Sequence, residues 1–193
     1  VLQDYVMDFD GSSRFRSSST LLSGVDKFTI STWVNLPNQS SGYTSIYSLY
    51  NSNSDRMFFQ FNGLQLYARI NSATYTINNG NGGWDVNSII NKWGNITVVY
   101  NGTLTGNDRF KVFINGVLNN SGAYSGTFPT SLAAWNDDLS IGASYSNPGG
   151  SSASNFLNGK LSNLAIWNTD QSANVTTNIY NSGSPQTTYT VTP

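Results

Sequence analysis

The chain has 193 residues, a net charge of -1 and only 10% charged side chains, with no cysteine, no histidine and no glutamate, so aspartate supplies every acidic group. That composition excludes a disulfide framework, a Ser-His-Asp triad, a Cys-His pair and a histidine zinc site. The nine basic residues run from Arg14 to Lys160 without clustering in sequence, so a phosphate-tracking surface and a nucleic-acid partner are not expected. No apolar run approaches the ~20 residues of a membrane-spanning helix, and no membrane insertion is expected. Asn, Ser, Thr and Gly fill the stretches between apolar runs. They make a low-charge, hydrogen-bonding surface that suits hydroxyl-rich ligands, or packing beside identical copies without charge repulsion. Aromatic residues, 13% of the chain, fall in periodic runs and argue against disorder.

In chain order, YVMDFDG at 5–11 reads as a short strand ending in an Asp10-Gly11 turn, and RFRSS as a weak one. KFTISTWVNLP is the first strong strand: Phe28, Ile30, Val34 and Leu36 share one face, Thr29, Ser31, Trp33 and Asn35 the other, and Pro37 ends it. YTSIYSLYN follows, then RMFFQF and LQLYARI joined by a turn at Asn62-Gly63, then TYTI. Residues 78–94 form a long loop with one helical turn near Val86–Asn91. GNITVVYNG resumes a strand. FKVFINGVL is a hairpin in which Asn115-Gly116 supplies the two positive-φ residues of a two-residue turn, and Asn158-Gly159 in FLNGKL offers a third such pair. Residues 119–137 are a second long loop before the strand LSIGA. In FLNGKLSNLAIWN, Leu161 and Leu164 are three apart, so a bulge near Ser162-Asn163 is needed to put both on one face. QSANVTTNIYNSG reads as one short helix carrying Val175 and Ile179 and stopped by Gly183. Alternating strands with one helix and no βαβ unit predict an all-β, antiparallel two-sheet sandwich over residues 1–183, with 184–193 an edge strand or linker.

The pieces FDG at 9–11, FTISTWV at 28–34, KWGNITVVYNG at 92–102, KVFINGVL at 111–118, LSIGA at 139–143 and FLNGKLSNLAIWN at 156–168, in that order, resemble the laminin-G-like jelly roll of the concanavalin A-like lectin/glucanase superfamily. The resemblance covers residues 5–183. It implies the sandwich and admits lectins, glycosidases, adhesion modules and virion proteins alike. The family often carries a carboxylate just after the apolar residue of its NGxI-type strand, where this chain has Ser162 and Asn163.

Glycoside hydrolysis needs two carboxylates about 5–10 Å apart, one with a raised pKa. Only Asp8 and Asp10, flanking Phe9, share a strand at that spacing, and a strand end with a turn explains them as well; no catalytic residue is expected. Calcium suits Asp and Asn oxygens in loops, and the resemblance implies it near one edge of the sandwich; Asp10, Asp137 and Asp138 are the candidates, with solvated turn formation the competing reading. A sugar site needs an aromatic face and a few amides. Trp84, Trp135, Asn136, Tyr145 and Asn147 lie in the long loops and are the candidates, unless the two tryptophans anchor their loops on the core. Trp33 and Trp167, on strands, read as packing residues. The expected role is a noncatalytic module that recognises glycan or glycoprotein surfaces from outside the cell, the cell surface or a virion. The alternative is a structural virion or surface-assembly protein that packs against its own copies or virion neighbours.

Overall fold

The computed structural model describes residues 6–17, 21–37, 42–52, 54–80, 84–135, 138–145 and 152–185. Of the segment 184–193, expected as an edge strand or linker, residues 186–193 lie outside them. Among the described residues fifteen strands are formed: β1 Val6–Asp10, β2 Phe15–Ser17, β3 Lys27–Asn35, β4 Tyr43–Ser52, β5 Asp55–Asn62, β6 Gln65–Ile70, β7 Ala73–Ile77, β8 Gly94–Asn101, β9 Phe110–Ile114, β10 Val117–Leu118, β11 Ala123–Ser125, β12 Leu139–Ile141, β13 Ser144–Tyr145, β14 Ala153–Ser154 and β15 Asn158–Trp167. One sheet has the order β1-β15-β3-β8-β9-β10 and the other β11-β7-β6-β5-β4-β12-β2, while β13 and β14 form a separate ribbon. The ladders are antiparallel, as the hairpin connections require.

Alternation explains the core between the sheets. Phe28, Ile30 and Val34 of β3, Ile96, Val98 and Tyr100 of β8, and Phe110, Val112 and Ile114 of β9 face Met57, Phe59, Phe61, Leu66, Ala68, Ile70, Tyr75 and Ile77 of the second sheet in one apolar cluster. The expected bulge is present, with the β15–β3 register shifting between Ser162 and Ala165 and Asn163 at φ 50°. It lets Leu161 sit in the core while Leu164 and Ile166 still pack against it.

The outer face of the first sheet is closed as well. The C-terminal helical segment, Ser172–Asn174, Val175–Ile179 and Asn181–Gly183 in succession, lies on it. Val175 and Ile179 pack with Val99 and Phe113, Trp33 stacks on Tyr180 at 5.8 Å, and the Thr29 hydroxyl donates to the Thr169 carbonyl. Beneath this cover, Asn95 Nδ2 donates to Ser31 Oγ at 3.0 Å and Thr97 Oγ1 to Asn95 Oδ1 at 3.0 Å, so the polar outward residues of β3 and β8 are buried with partners.

Two expected turns differ from the structure. Asn115 (φ 50°) and Gly116 (φ 75°) form the two-residue loop between Ile114 and Val117 as the sequence predicts. In the β5–β6 hairpin, however, Asn62 pairs with Gln65, so the turn residues are Gly63-Leu64, with only Gly63 at positive φ (55°). That is the turn class with glycine first. Asn158-Gly159 is no turn at all: both residues are inside β15, opposite Asp10 and Phe9. Gly159 is required there by close approach, since a Cβ would meet Leu36 Cδ2 at 2.7 Å and the Asn35 carbonyl oxygen at 2.8 Å.

Buried tyrosines make the fold alkali-sensitive. Desolvation pushes the Tyr47 and Tyr75 phenols well above their ordinary value, and Tyr100 up to about 12. Unfolded tyrosines release their protons near pH ~10 while these stay protonated, so above that pH the unfolded state binds fewer protons and unfolding becomes easier. Urea melts at stepped pH are expected to show stability falling as pH rises from about 10 towards 12. Tyr47→Phe should flatten the fall; an unchanged slope in that variant would contradict the assignment.

Candidate functional site

With the inner faces in the core and the first sheet covered by the C-terminal segment, the outer face of the second sheet is the remaining strand surface. Strand alternation decides what it carries. On β5, Met57, Phe59 and Phe61 point inward, leaving Arg56, Phe58 and Gln60 outward; on β6, Leu66, Ala68 and Ile70 point inward, leaving Tyr67 and Arg69 outward. A bulge between Ser45 and Tyr47 keeps Ser45, Ser48 and Tyr50 of β4 in line with them. Register partners share a face, so Arg16, Ser140, Ser48, Phe58 and Arg69 form one row across the sheet, and Ser45, Gln60 and Tyr67 the next.

Part of this face lines a cavity of about 310 Å³ bounded by Tyr43, Tyr50, Arg56, Phe58, Gln60 and Tyr67, with Arg69, Ser144, Tyr145, Ser154 and Asn155 completing its wall. The β13–β14 ribbon is the wall on one side. It is fixed by the Ser45 N–H donating to the Asn155 carbonyl (2.9 Å), by Asn155 Nδ2 donating to Ser144 Oγ (2.9 Å) and by the Tyr145 N–H donating to Ser48 Oγ (3.2 Å). Aromatic rings meet edge-on at Tyr43–Tyr67 (6.3 Å) and tilted at Tyr50–Phe58 (6.2 Å). The Arg56 guanidinium carbon lies 5.9 Å from the Tyr50 ring centre and 5.7 Å from that of Phe58. Burial, and then the charge of Arg69, pull the Arg56 pKa below the usual arginine value. Among the described residues no carboxylate lines the groove.

Four of the five arginines, Arg14, Arg16, Arg56 and Arg69, gather here although they are scattered in sequence. Arg14 lies 4.6 Å over the Tyr145 ring and Arg16 pairs with Asp138 at 2.7 Å.

Of the sequence candidates for ligand binding, Tyr145 lines the groove; Asn136 and Asn147 lie outside the described residues. Trp84 and Trp135 are corrected: both are fully buried in the main core, so neither presents a face to a ligand. Trp84 stacks on Phe61 at 5.9 Å and donates through Nε1 to the Leu64 carbonyl at 2.9 Å, which anchors its own end of the loop on the sandwich. Trp135 is drawn in with Leu132, whose N–H donates to the Val25 carbonyl at 2.8 Å. The sequence does contain the missed signal: the outward positions of RMFFQF and LQLYARI hold Arg, Phe, Gln, Tyr and Arg where a solvated strand face would hold Ser or Thr.

Of the calcium candidates, Asp10 and Asp138 are described, and each has partners within the chain. The Asp138 carboxylate is held by Arg16, and Asp10 accepts the N–H groups of Ser12 and Ser13, each at 2.9 Å, which keeps its pKa below the usual value. Asp137 lies outside the described residues, and among those described no three acidic groups gather. Asp8 is taken by Lys160. A second depression of about 270 Å³ is lined by Asp8, Asn35, Pro37, Asn91, Gly159 and Lys160, and its carboxylate is the one in that ion pair. Asp8 and Asp10 thus sit towards the end of β1, the first paired with Lys160 and the second accepting from the turn that follows.

Residues 9–175 match the model of a laminin G family described as the concanavalin A-like lectin/glucanases superfamily. The chain belongs to this family. Comparison with curated protein sequences finds no match. Solved structures with the same concanavalin A-like architecture include a native heptameric SAP-like pentraxin from Limulus polyphemus, 19% identical with a TM-score of 0.61, covering 89% of this chain and 80% of that one. The CBM40 of the Ruminococcus gnavus IT-sialidase, bound to alpha2,3 sialyllactose, is 13% identical with a TM-score of 0.63, covering 88% and 92%. Domain 4 of AbnA, an extracellular arabinanase from Geobacillus stearothermophilus, in complex with arabinotriose, is 19% identical with a TM-score of 0.58, covering 89% and 74%. At these identities the likeness is one of fold. No helix among the described residues is long and apolar enough to cross a membrane.

Proposed function

We propose that this protein is a noncatalytic carbohydrate-binding module that takes a sugar into the groove on the outer face of the second sheet. The observation that carries the reading is the combination lining that groove: the partly exposed rings of Phe58 and Tyr67, the amides of Gln60 and Asn155, the hydroxyls of Ser144 and Ser154, and two guanidiniums. A pyranose offers an apolar face to a ring and hydroxyls to amides and guanidiniums, so the parts match in kind and in scale. Two structures of like fold hold oligosaccharides, arabinotriose and alpha2,3 sialyllactose, which supports the reading at the level of architecture. Asp8 is paired with Lys160, and the turn N–H groups lower the pKa of Asp10 where hydrolysis of the usual kind needs a raised one, which favours binding over hydrolysis. The module acts outside the cell or on a particle surface, where several copies multiply a weak single-site affinity. Titrating an isotope-labelled sample with oligosaccharides while following backbone amide shifts tests the reading: perturbations centred on β5, β6 and β13 are expected.

A further inference from the structure

We propose that the sugar recognised in the groove carries a carboxylate, seated on the guanidiniums of Arg56 and Arg69; this rests on the reading of the groove as a sugar site. Arg69 stands opposite Phe58, and Arg56 is the next outward residue along β5, so the two arginines are diagonal neighbours on adjacent strands. Neither has a carboxylate partner among the described residues: Asp138 is paired with Arg16, Asp8 with Lys160, and Asp55 accepts from Asn51 Nδ2. Arg69 spends its Nε on the Asn71 carbonyl. The Nε of Arg56 is buried with no acceptor among the described residues. Two like charges side by side repel, and an anion between the guanidiniums relieves that repulsion through charge-assisted hydrogen bonds. Arg56's lowered pKa, set by burial and by Arg69, agrees with a site that lacks negative charge.

The shape of the site favours a carboxylate on a sugar ring over a bare anion. The Arg56 guanidinium lies against the Tyr50 and Phe58 rings, and a guanidinium offers parallel N–H donors that match the two oxygens of a carboxylate. The rest of the lining is aromatic, amide or hydroxyl, suited to a neutral ring beside the charge. A uronic acid within a polysaccharide and a nonulosonic acid at a glycan terminus share this chemistry.

Calorimetric titration with trigalacturonate, alpha2,3 sialyllactose, the methyl ester of each, a sulfated trisaccharide and neutral lactose separates the cases. The expected result is binding of at least one acid, with its methyl ester about 10- to 100-fold weaker, the range for loss of a charge-assisted hydrogen bond. Which acid binds tells the internal uronate from the terminal nonulosonate. Arg56→Gln and Arg69→Gln should each weaken the acid by about tenfold or more and neutral sugars by less, narrowing the gap between the acid and its methyl ester, and Arg56→Lys should fall between. If Arg56→Gln fails to fold by circular dichroism, Arg69→Gln and the ester comparison on the unaltered protein decide. An ester or lactose that binds as well as the acid, or preference for the sulfated sugar, overturns the carboxylate assignment while leaving the glycan reading intact. Absence of binding to any sugar across a broad array overturns both.

Discussion

Replacing Trp84 with alanine is expected to destabilise the protein by about 3–5 kcal/mol and to lower the melting temperature by about 6–20 °C, without weakening sugar binding by the fraction that remains folded. The side chain is fully buried, stacked on Phe61 and tied through Nε1 to the Leu64 carbonyl, so truncation opens a cavity where the 78–94 loop meets the core and frees the β5–β6 turn from its clamp. Trp84→Phe keeps the stack and loses the hydrogen bond, at a cost of about 1–2 kcal/mol. Differential scanning calorimetry beside a binding titration separates the two roles that a loop tryptophan can play. Unchanged stability with lost binding would return Trp84 to the ligand.

Gly142→Ala should be comparably severe and should also damage the groove. Gly142 sits at φ 84°, and a Cβ there would meet Phe9 Cε1 at 2.1 Å. Phe9 is buried under the sheet edge and cannot swing into solvent without emptying its own site. Left-handed strain of about 1–3 kcal/mol and overpacking of about 1–3 kcal/mol add to about 2–6 kcal/mol. The same residue donates its N–H to the Ile46 carbonyl and accepts from the Leu157 N–H, each at 2.8 Å, two residues before the Ser144–Tyr145 wall. Denaturant melts should show the loss of stability, and sugar affinity should fall in the same variant because the wall shifts. A variant with normal stability and normal affinity would contradict this placement of Gly142.

The contrast between these two sites shows what the chain discloses locally. KFTISTWV alternates apolar and polar residues, and the period alone places Phe28, Ile30 and Val34 in the core. Asn115-Gly116 gives its turn because both residues tolerate positive φ and the flanking strands match. Asn158-Gly159 carries the same letters but sits within a strand, where the glycine is needed for the approach of Leu36; that reason exists only once β15 has found β3. The loop tryptophans were ambiguous for a related cause. A large ring is drawn into the core wherever the core has room, and local sequence does not record that room.

The groove was hidden by topology. β5 and β6 are neighbours in sequence, so the outward series Arg56, Phe58, Gln60, Tyr67 and Arg69 is readable from a hairpin once its register is known. Arg14, Arg16 and Tyr145 join it only because β2 lies beside β12 and β12 beside β4, pairings across more than a hundred residues for Arg16 and Ser140. A scattered basic sequence thus becomes an arginine-rich sheet face without any cluster along the chain.

Backbone amide chemical-shift mapping with an oligosaccharide that binds the isolated protein tests the location of the site most directly. The groove assignment requires the largest shifts at Arg56–Gln60, Tyr67–Arg69 and Ser144–Tyr145, and little change in the segments holding Trp84 and Trp135. Shifts concentrated around those two tryptophans or on the first sheet, with β5 and β6 silent, would contradict it.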